Sequence, residues 1–484
     1  MRFRWKEYAA FLLVMLYAIP VLLNLDLVPV AWLDETMNLD PAVQWHLRGK
    51  FVSALWPNQG SERQFLCYLP LVEWLHMLNL GLVPWEMFWV RLPFVVLFLA
   101  AAVCFYLWTE RCLRLPKSWS LLLLCLLLFD KSIFEILRSV RSETLELALL
   151  AIWLFLCFRS PKSSFIPLLA GMLLMAHPKL WPAMGIGMLC QWMLQRSSMR
   201  FWLWPVITLV PACCYFLWLD APFADWWRQL QGQAEMHQAS GNRISAHFLT
   251  RYWPYFKEQP WMPLLHLCTW FPAYSLWKKH GWGLQSMPAM MWAVQDLSWL
   301  LILAPHHRYL PPHHLLMYAV WGLWLATEQV PVCNRRQRLL LLPLLPLLLF
   351  PYASRMSLGL LQRDERNPES VLRWLDRELP AGQSGRTLVI GNSIGHYHIL
   401  RHRDTGMHFA LEIYPQKFRF ADFSRVYYLG RRISEMKGTS YQLDPPRYAI
   451  PTSMSTTYRG LVLTRLESAD EMEAIVGAYR ISYP

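Results

Sequence analysis

Residues 88–108 read FWVRLPFVVLFLAAAVCFYLW. Wound as a helix at about 1.5 Å per residue, this apolar run matches the roughly 30 Å hydrocarbon core of a bilayer. Similar runs recur through the first three quarters of the chain. Candidate spans fall at 9–30, 88–108, 119–130, 143–158, 164–176, 180–195, 201–219, 262–277, 284–304, 313–329 and 339–353, about eleven in all. Several are short enough to need tilt or interfacial extension. The reading is an α-helical polytopic membrane protein.

Composition agrees. Of 484 residues, 55% are hydrophobic and only 16% charged, more apolar surface than a soluble domain would hide. The 27 Trp and 20 Tyr suit interfacial belts, where an amphipathic ring meets the headgroups. The net charge of +13 is split into short clusters between apolar runs instead of one stripe, so no nucleic-acid partner is expected. Membrane lipids are.

Alternate connections set the orientation. Arg2, Arg4 and Lys6, then Arg111, Arg114 and Lys117, then Arg159 and Lys162, then Arg196 and Arg200, then Lys278 and Lys279, then Arg335, Arg336 and Arg338 fall on one side. By the positive-inside rule that side is cytoplasmic. The first run reads as an uncleaved anchor, because it continues through Val30 without a small-residue cleavage site. Four polar patches then gather on the opposite face: Asp34-Glu35, Arg138 to Glu143, His177-Pro178-Lys179 and Arg308-Tyr309-Leu310-Pro311. Charge scattered through a membrane protein is costly, so its convergence on one face suggests a site for lipid-linked chemistry.

The same face carries residues 34–50 and 64–80, which read as helices lying on the membrane, the second around Glu73, Trp74 and His76. It also carries the loop 220–260, with Trp226, Trp227 and Arg243 suited to an acceptor sugar, an anionic lipid or passive anchoring. Near 354 the composition turns mixed and charged. Residues 368–380 have the apolar spacing of an amphipathic helix, Thr387 to Ile390 is strand-like, and Gly391 to Gly395 reads as a strand-to-helix turn. The division expected is a membrane domain at 1–354 and a small extracytoplasmic α/β domain at 355–484.

Nine of the ten cysteines lie in or beside predicted spans, so no disulfide framework is expected, and Cys213-Cys214 reads as small embedded packing. His306, His307, His313 and His314 fit no zinc-motif spacing and have no evident carboxylate partner, so neither a metal nor a cofactor is expected. Each charged patch also has a bland reading. Asp34 and Glu35 could cap a surface helix, Lys179 and Arg308 could snorkel to headgroups, and Arg138, Arg141 and Glu143 could form a structural ion-pair network.

In these four patches, taken in order, the chain resembles the integral membrane GT-C-type glycosyltransferases that include protein mannosyltransferases and lipid A aminoarabinose transferases. Leu33-Asp34-Glu35 matches their acidic pair after the first span, Arg138-Ser139-Val140-Arg141-Ser142-Glu143 their Arg-plus-acid patch, His177-Pro178-Lys179 a Lys-Gly-Pro-like turn, and Arg308-Tyr309-Leu310-Pro311 their late Arg-Tyr-Leu-Leu-Pro element. The order and spacing cover most of residues 1–330. The chain departs from the pattern at Cys67-Tyr68-Leu69-Pro70, where many relatives have Glu-Lys-Pro-Pro, and this leaves the sugar unspecified.

The resemblance implies an inverting transfer from a polyprenyl-phosphate-linked sugar to lipid A, another envelope glycan or a protein, outside the cytoplasm of the cell's inner membrane. On this reading Asp34 and Glu35 are the catalytic carboxylates, with Asp34 as base. Lys179, Arg308 and Tyr309 hold the donor phosphate, Arg138, Arg141 and Glu143 support the site, and Glu73, Trp74, Trp226, Trp227 and Arg243 face the acceptor or the interface. The alternative is a transporter or flippase of lipid-linked sugars, in which the same cations bind phosphate and no carboxylate does chemistry.

Overall fold

The computed structural model describes residues 5–23, 25–26, 33–53, 55, 64–66, 70–194, 200–219, 223–239, 261–301, 310–330, 349–350, 352–354, 356–357, 361, 372–373, 376–377 and six strands between Thr387 and Ser482. In chain order the helices begin with α1 (Trp5–Leu23), α2 (Leu33–Arg48), α3 (Pro70–Leu82), α4 (Met87–Leu107), α5 (Lys117–Leu128), α6 (Lys131–Ile136) and α7 (Ser142–Arg159). They continue with α8 (Phe165–Leu174), α9 (Trp181–Leu194), α10 (Arg200–Leu219), α11 (Phe223–Ala239), α12 (Trp261–His280), α13 (Met287–Leu301) and α14 (Pro311–Thr327).

A helix lies on each expected span from 9–30 to 313–329, while most of 339–353 falls outside the described residues. Helix α4 runs on through a π turn at Trp108–Cys112. Among the described residues this 26-residue helix is the one long and apolar enough to cross a membrane by itself, and Trp202–Trp218 with Phe223–Gly232 qualifies as a bent pair. Others are short: the 10 residues of α8 reach only about 15 Å.

Helix surfaces carry the physical signature of an apolar surround. On α10, Trp202, Leu203, Val206, Leu209, Val210 and Leu217 are exposed, Leu217 by 81%, while Trp204, Thr208 and Tyr215 are buried. Exposed large side chains at helical spacing are what a lipid-facing stripe presents. Cys213 and Cys214, expected as embedded packing, are exposed with them, and the eight described cysteines carry free thiols. The inner face packs closely. A Cβ on Gly171 of α8 would collide with the Thr208 carbonyl of α10, and one on Gly187 of α9 would come within 2.8 Å of Met291 and Trp153.

The chain divides into two compact units, one of Met1–Leu23, Leu66–Leu75 and Pro93–Arg355, the other of Asn24–Phe65, His76–Leu92 and Met356–Pro484. Residues 24–65 and 76–92 thus fall in the second compact unit. Local bonds bind these segments to one another: Arg91 pairs with Glu35, and a His46 ring nitrogen lies 2.7 Å from the Met77 carbonyl oxygen.

In the second unit a six-stranded sheet has the order β2-β1-β3-β6-β5-β4, from β1 (Thr387–Gly391), β2 (Met407–Leu411), β3 (Arg425–Gly430), β4 (Ser455–Tyr458), β5 (Leu461–Arg465) and β6 (Gly477–Ser482). β1 is parallel to β2 and β3, and the remaining pairs are antiparallel. Parallel neighbours require crossover connections; those at 392–406 and 412–424 lie outside the described residues. Within the expected amphipathic helix, Leu372 is buried and Arg373 and Arg377 are exposed, in keeping with its sequence pattern.

Residues 220–260 were expected as a loop. Residues 223–239 form α11 instead, and 240–260 lie outside the described residues. The spacing of Phe223, Trp226, Trp227 and Leu230 is helical, a signal masked by the polar residues between them.

Candidate functional site

Two of the four polar patches share an electrostatic neighbourhood in the first unit. Arg141 caps α7 in an extended conformation, which turns its guanidinium back onto Glu143 of the first turn. Its Nε and Nη2 donate to the two carboxylate oxygens at 2.9 and 2.7 Å, and the Ser142 hydroxyl donates to Glu143 at 3.4 Å. Both partners are buried. A bidentate pair of this kind is the geometry that repays the burial of two charges.

The second patch is the 3-10 turn Pro178–Leu180. His177 precedes it with φ −161°, and its Nδ1 accepts from the Lys179 N–H at 3.1 Å. From α13, Gln295 clamps the other side, donating to the Lys179 carbonyl at 2.8 Å and accepting from the Ala183 N–H at 3.3 Å. The Lys179 backbone is thus fixed while its side chain is half-buried. Glu143 lies in the field of Arg141, His177 and Lys179, and buried Glu146, one turn further along α7, lies in that of Glu143, Lys179 and Arg141. Sequence reading passed over Glu146 because it falls inside an apolar run. A turn-mounted ammonium in partly dry surroundings, backed by a fixed guanidinium–carboxylate pair, can receive an anion at low reorganisation cost.

Arg138, grouped with Arg141 by sequence, stands elsewhere in the unit. It is buried with its guanidinium 5.3 Å from the Phe134 ring centroid, and Tyr17 and Tyr352 lie in its field. The same unit holds a group the sequence did not disclose. Asp130 caps α6 through Ser132 N–H at 2.9 Å, accepts from the Tyr318 hydroxyl at 2.8 Å and lies 2.6 Å from His314 Nδ1. A third group joins three helices: His313 Nε2 of α14 and His266 Nδ1 of α12 lie 3.1 and 3.6 Å from Asp296 Oδ1 of α13.

In the second unit Asp34 lies in the first turn of α2. Its neighbour Glu35 is fully buried, and both of its oxygens accept from Arg91, at 2.7 Å from Nε and 2.7 Å from Nη2. Arg91 also donates to the Leu25 carbonyl at 2.7 Å. The pair ties the start of α2 to α4.

Glu73 is buried, and half-buried Trp74 packs edge-on against Tyr215 and Trp218 of α10, with ring centroids 6.2 and 5.7 Å away. Trp226 is buried among Trp181, Phe216 and Phe223, whereas Trp227 is 44% exposed. Arg243, Arg308 and Tyr309 lie outside the described residues, as do His306 and His307.

No family model and no curated protein matches this sequence. Among solved structures the chain is similar to ArnT from Cupriavidus metallidurans, in a crystal structure bound to undecaprenyl phosphate, with a TM-score of 0.57 over 98% of each chain at 11% identity. At that identity the likeness is one of fold, and it agrees with the fold that the four polar patches led us to expect.

Proposed function

We propose that this chain is an inverting membrane glycosyltransferase that moves a sugar from a polyprenyl-phosphate carrier to a hydroxyl acceptor outside the cytoplasm. The observation that carries the reading is Lys179, half-buried on a clamped turn in the field of the buried Arg141–Glu143 pair, in a chain whose fold is similar to a protein bound to a polyprenyl phosphate.

The chemistry follows from where charge moves. Asp34 takes the proton of the acceptor hydroxyl as its oxygen attacks the anomeric carbon from the face opposite the phosphate. The bond from that carbon to the phosphate oxygen breaks, its electron pair passes to the phosphate, and polyprenyl phosphate leaves. Lys179 and Arg308 stabilise the charge gained by the phosphate, with Tyr309 as a further donor. A carboxylate base well placed for the hydroxyl contributes roughly 10²–10⁴ in rate. Glu35 and Arg91 hold the helix bearing Asp34, and Arg141 and Glu143 hold the surroundings of Lys179.

In this reading residues 1–354 span the inner membrane about eleven times, with the site and residues 355–484 on the extracytoplasmic side. The acceptor is lipid A, another envelope glycan or a protein. Purified protein in liposomes, offered a panel of polyprenyl-phosphate sugars with envelope lipid extract, should yield a glycosylated product detectable by mass spectrometry. Lys179→Met should weaken donor binding at least tenfold. Undiminished donor affinity in that variant would remove Lys179 from the site.

A further inference from the structure

Three polar side chains project from three apolar helices to one point: His266 of α12, Asp296 of α13 and His313 of α14. We propose that they form a binding site for a divalent transition-metal ion of the zinc class, ligated by His266 Nδ1, His313 Nε2 and one Asp296 oxygen, with a fourth position open to water.

Geometry is the first argument. Around a tetrahedral ion with bonds of about 2.0–2.1 Å, neighbouring ligand atoms lie about 3.3 Å apart. Here Asp296 Oδ1 is 3.1 Å from His313 Nε2 and 3.6 Å from His266 Nδ1, and all three ligand atoms lie within 4.8 Å of one another. The separation from His266 is too long for a good hydrogen bond but suits two ligands of one ion.

Without an ion the arrangement is costly. The trio sets a carboxylate and two imidazoles among apolar helices around one hydrogen bond of 3.1 Å, between His313 Nε2 and Asp296. A carboxylate in such a setting is unfavourable unless it is paired or coordinates a metal, and a bound cation would offset its charge. The rings are also aimed. His313 stacks on Trp292, with centroids 5.6 Å apart and 10° between planes, which holds Nε2 toward Asp296. His266 and Asp296 keep side-chain exposures of 19% and 14%, which leaves an entry path and room for water as the fourth ligand.

Depth is the third. His266 lies five residues from the start of α12, Asp296 five from the end of α13 and His313 two from the start of α14, so each is within about 8 Å of its helix end. Residue spacing along the chain could not disclose this site, because its ligands come from three separate helices. The proposal stands apart from the glycosyl-transfer reading and concerns other residues.

The test uses full-length protein in detergent, stripped with a chelator and then titrated with Zn²⁺ or Co²⁺ alone. We expect about one equivalent of Zn²⁺ per chain by elemental analysis and visible d–d absorption from Co²⁺. Affinity should fall at least tenfold in His313→Ala and Asp296→Asn, and stay unchanged in His280→Gln, which alters a histidine outside the trio. Wild-type protein that retains no stoichiometric ion, with a melting temperature indifferent to Zn²⁺ and chelator, would overturn the proposal and make the trio a plain His–Asp hydrogen bond. Because wild type alone decides that point, a variant that fails to fold does not rescue it.

Discussion

Replacing either member of the Glu35–Arg91 pair should destabilise the protein far more than replacing both. The two side chains are 0% exposed, two bonds of 2.7 Å join them, and Arg91 makes a third to the Leu25 carbonyl. Glu35→Leu leaves a buried guanidinium without its carboxylate, and Arg91→Met leaves a buried carboxylate without its guanidinium. Breaking one side of a buried pair costs about 3–5 kcal/mol, so two independent losses would sum to about 6–10 kcal/mol. The double variant removes both charges and keeps apolar volume, so it should cost less than about 3 kcal/mol. Each single change would then lower the folded-to-unfolded ratio by two to three or more orders of magnitude, at about 1.4 kcal/mol per tenfold. Denaturant titration of the detergent-solubilised protein, followed by Trp fluorescence, measures all four corners of the cycle. An additive double variant, or single losses below about 1 kcal/mol, would refute the reasoning and show that water or another group relieves the charge.

Other predictions concern packing, capping and protonation. Gly171→Ala should cost about 1–3 kcal/mol, read as a lower melting temperature, because the new methyl meets a backbone carbonyl that cannot rotate away. Asp130→Ala removes the α6 cap and the shared acceptor of Tyr318 and His314, and should cost about 3 kcal/mol against about 1 kcal/mol for Tyr318→Phe; equal costs would show that Asp130 is not the hub. Burial pushes the His76 imidazole from 6.5 down to about 3, so on acidification the unfolded chain takes up a proton that the folded protein refuses. Stability should be intact above about pH 6.5 and decline toward pH 3 by up to about 1.4 kcal/mol per unit, and His76→Gln should flatten that slope in melts run across the range.

What the sequence made legible is what depends on neighbours in the chain. Apolar runs located the helices, and turn residues located β1 and the His177 turn. The Arg141–Glu143 pair was readable because its members are two residues apart. Arg91 was not, since it sits in the apolar run 88–108 and its partner is 56 positions away. Asp130 and His314 are 184 positions apart, and Asp296 meets His266 and His313 only because three helices pack together. A polar residue inside an apolar span tells of a partner without saying which. Strands β2 to β6 are short, and mixed runs such as Met407–Leu411 and Arg425–Gly430 lack the alternation that marks a strand with one wet face.

The measurement closest to the central claim counts polyprenyl phosphate released from a polyprenyl-phosphate sugar by wild type and by Asp34→Asn in liposomes, at matched donor occupancy. Transfer with Asp34 as base predicts one polyprenyl phosphate per glycosylated acceptor in wild type and a rate lower by roughly 10²–10⁴ in a variant that still folds and binds donor. Release at an unchanged rate in Asp34→Asn would contradict the assignment of the base. Donor that crosses the bilayer intact, equally in both proteins, would contradict glycosyl transfer and make the chain a transporter.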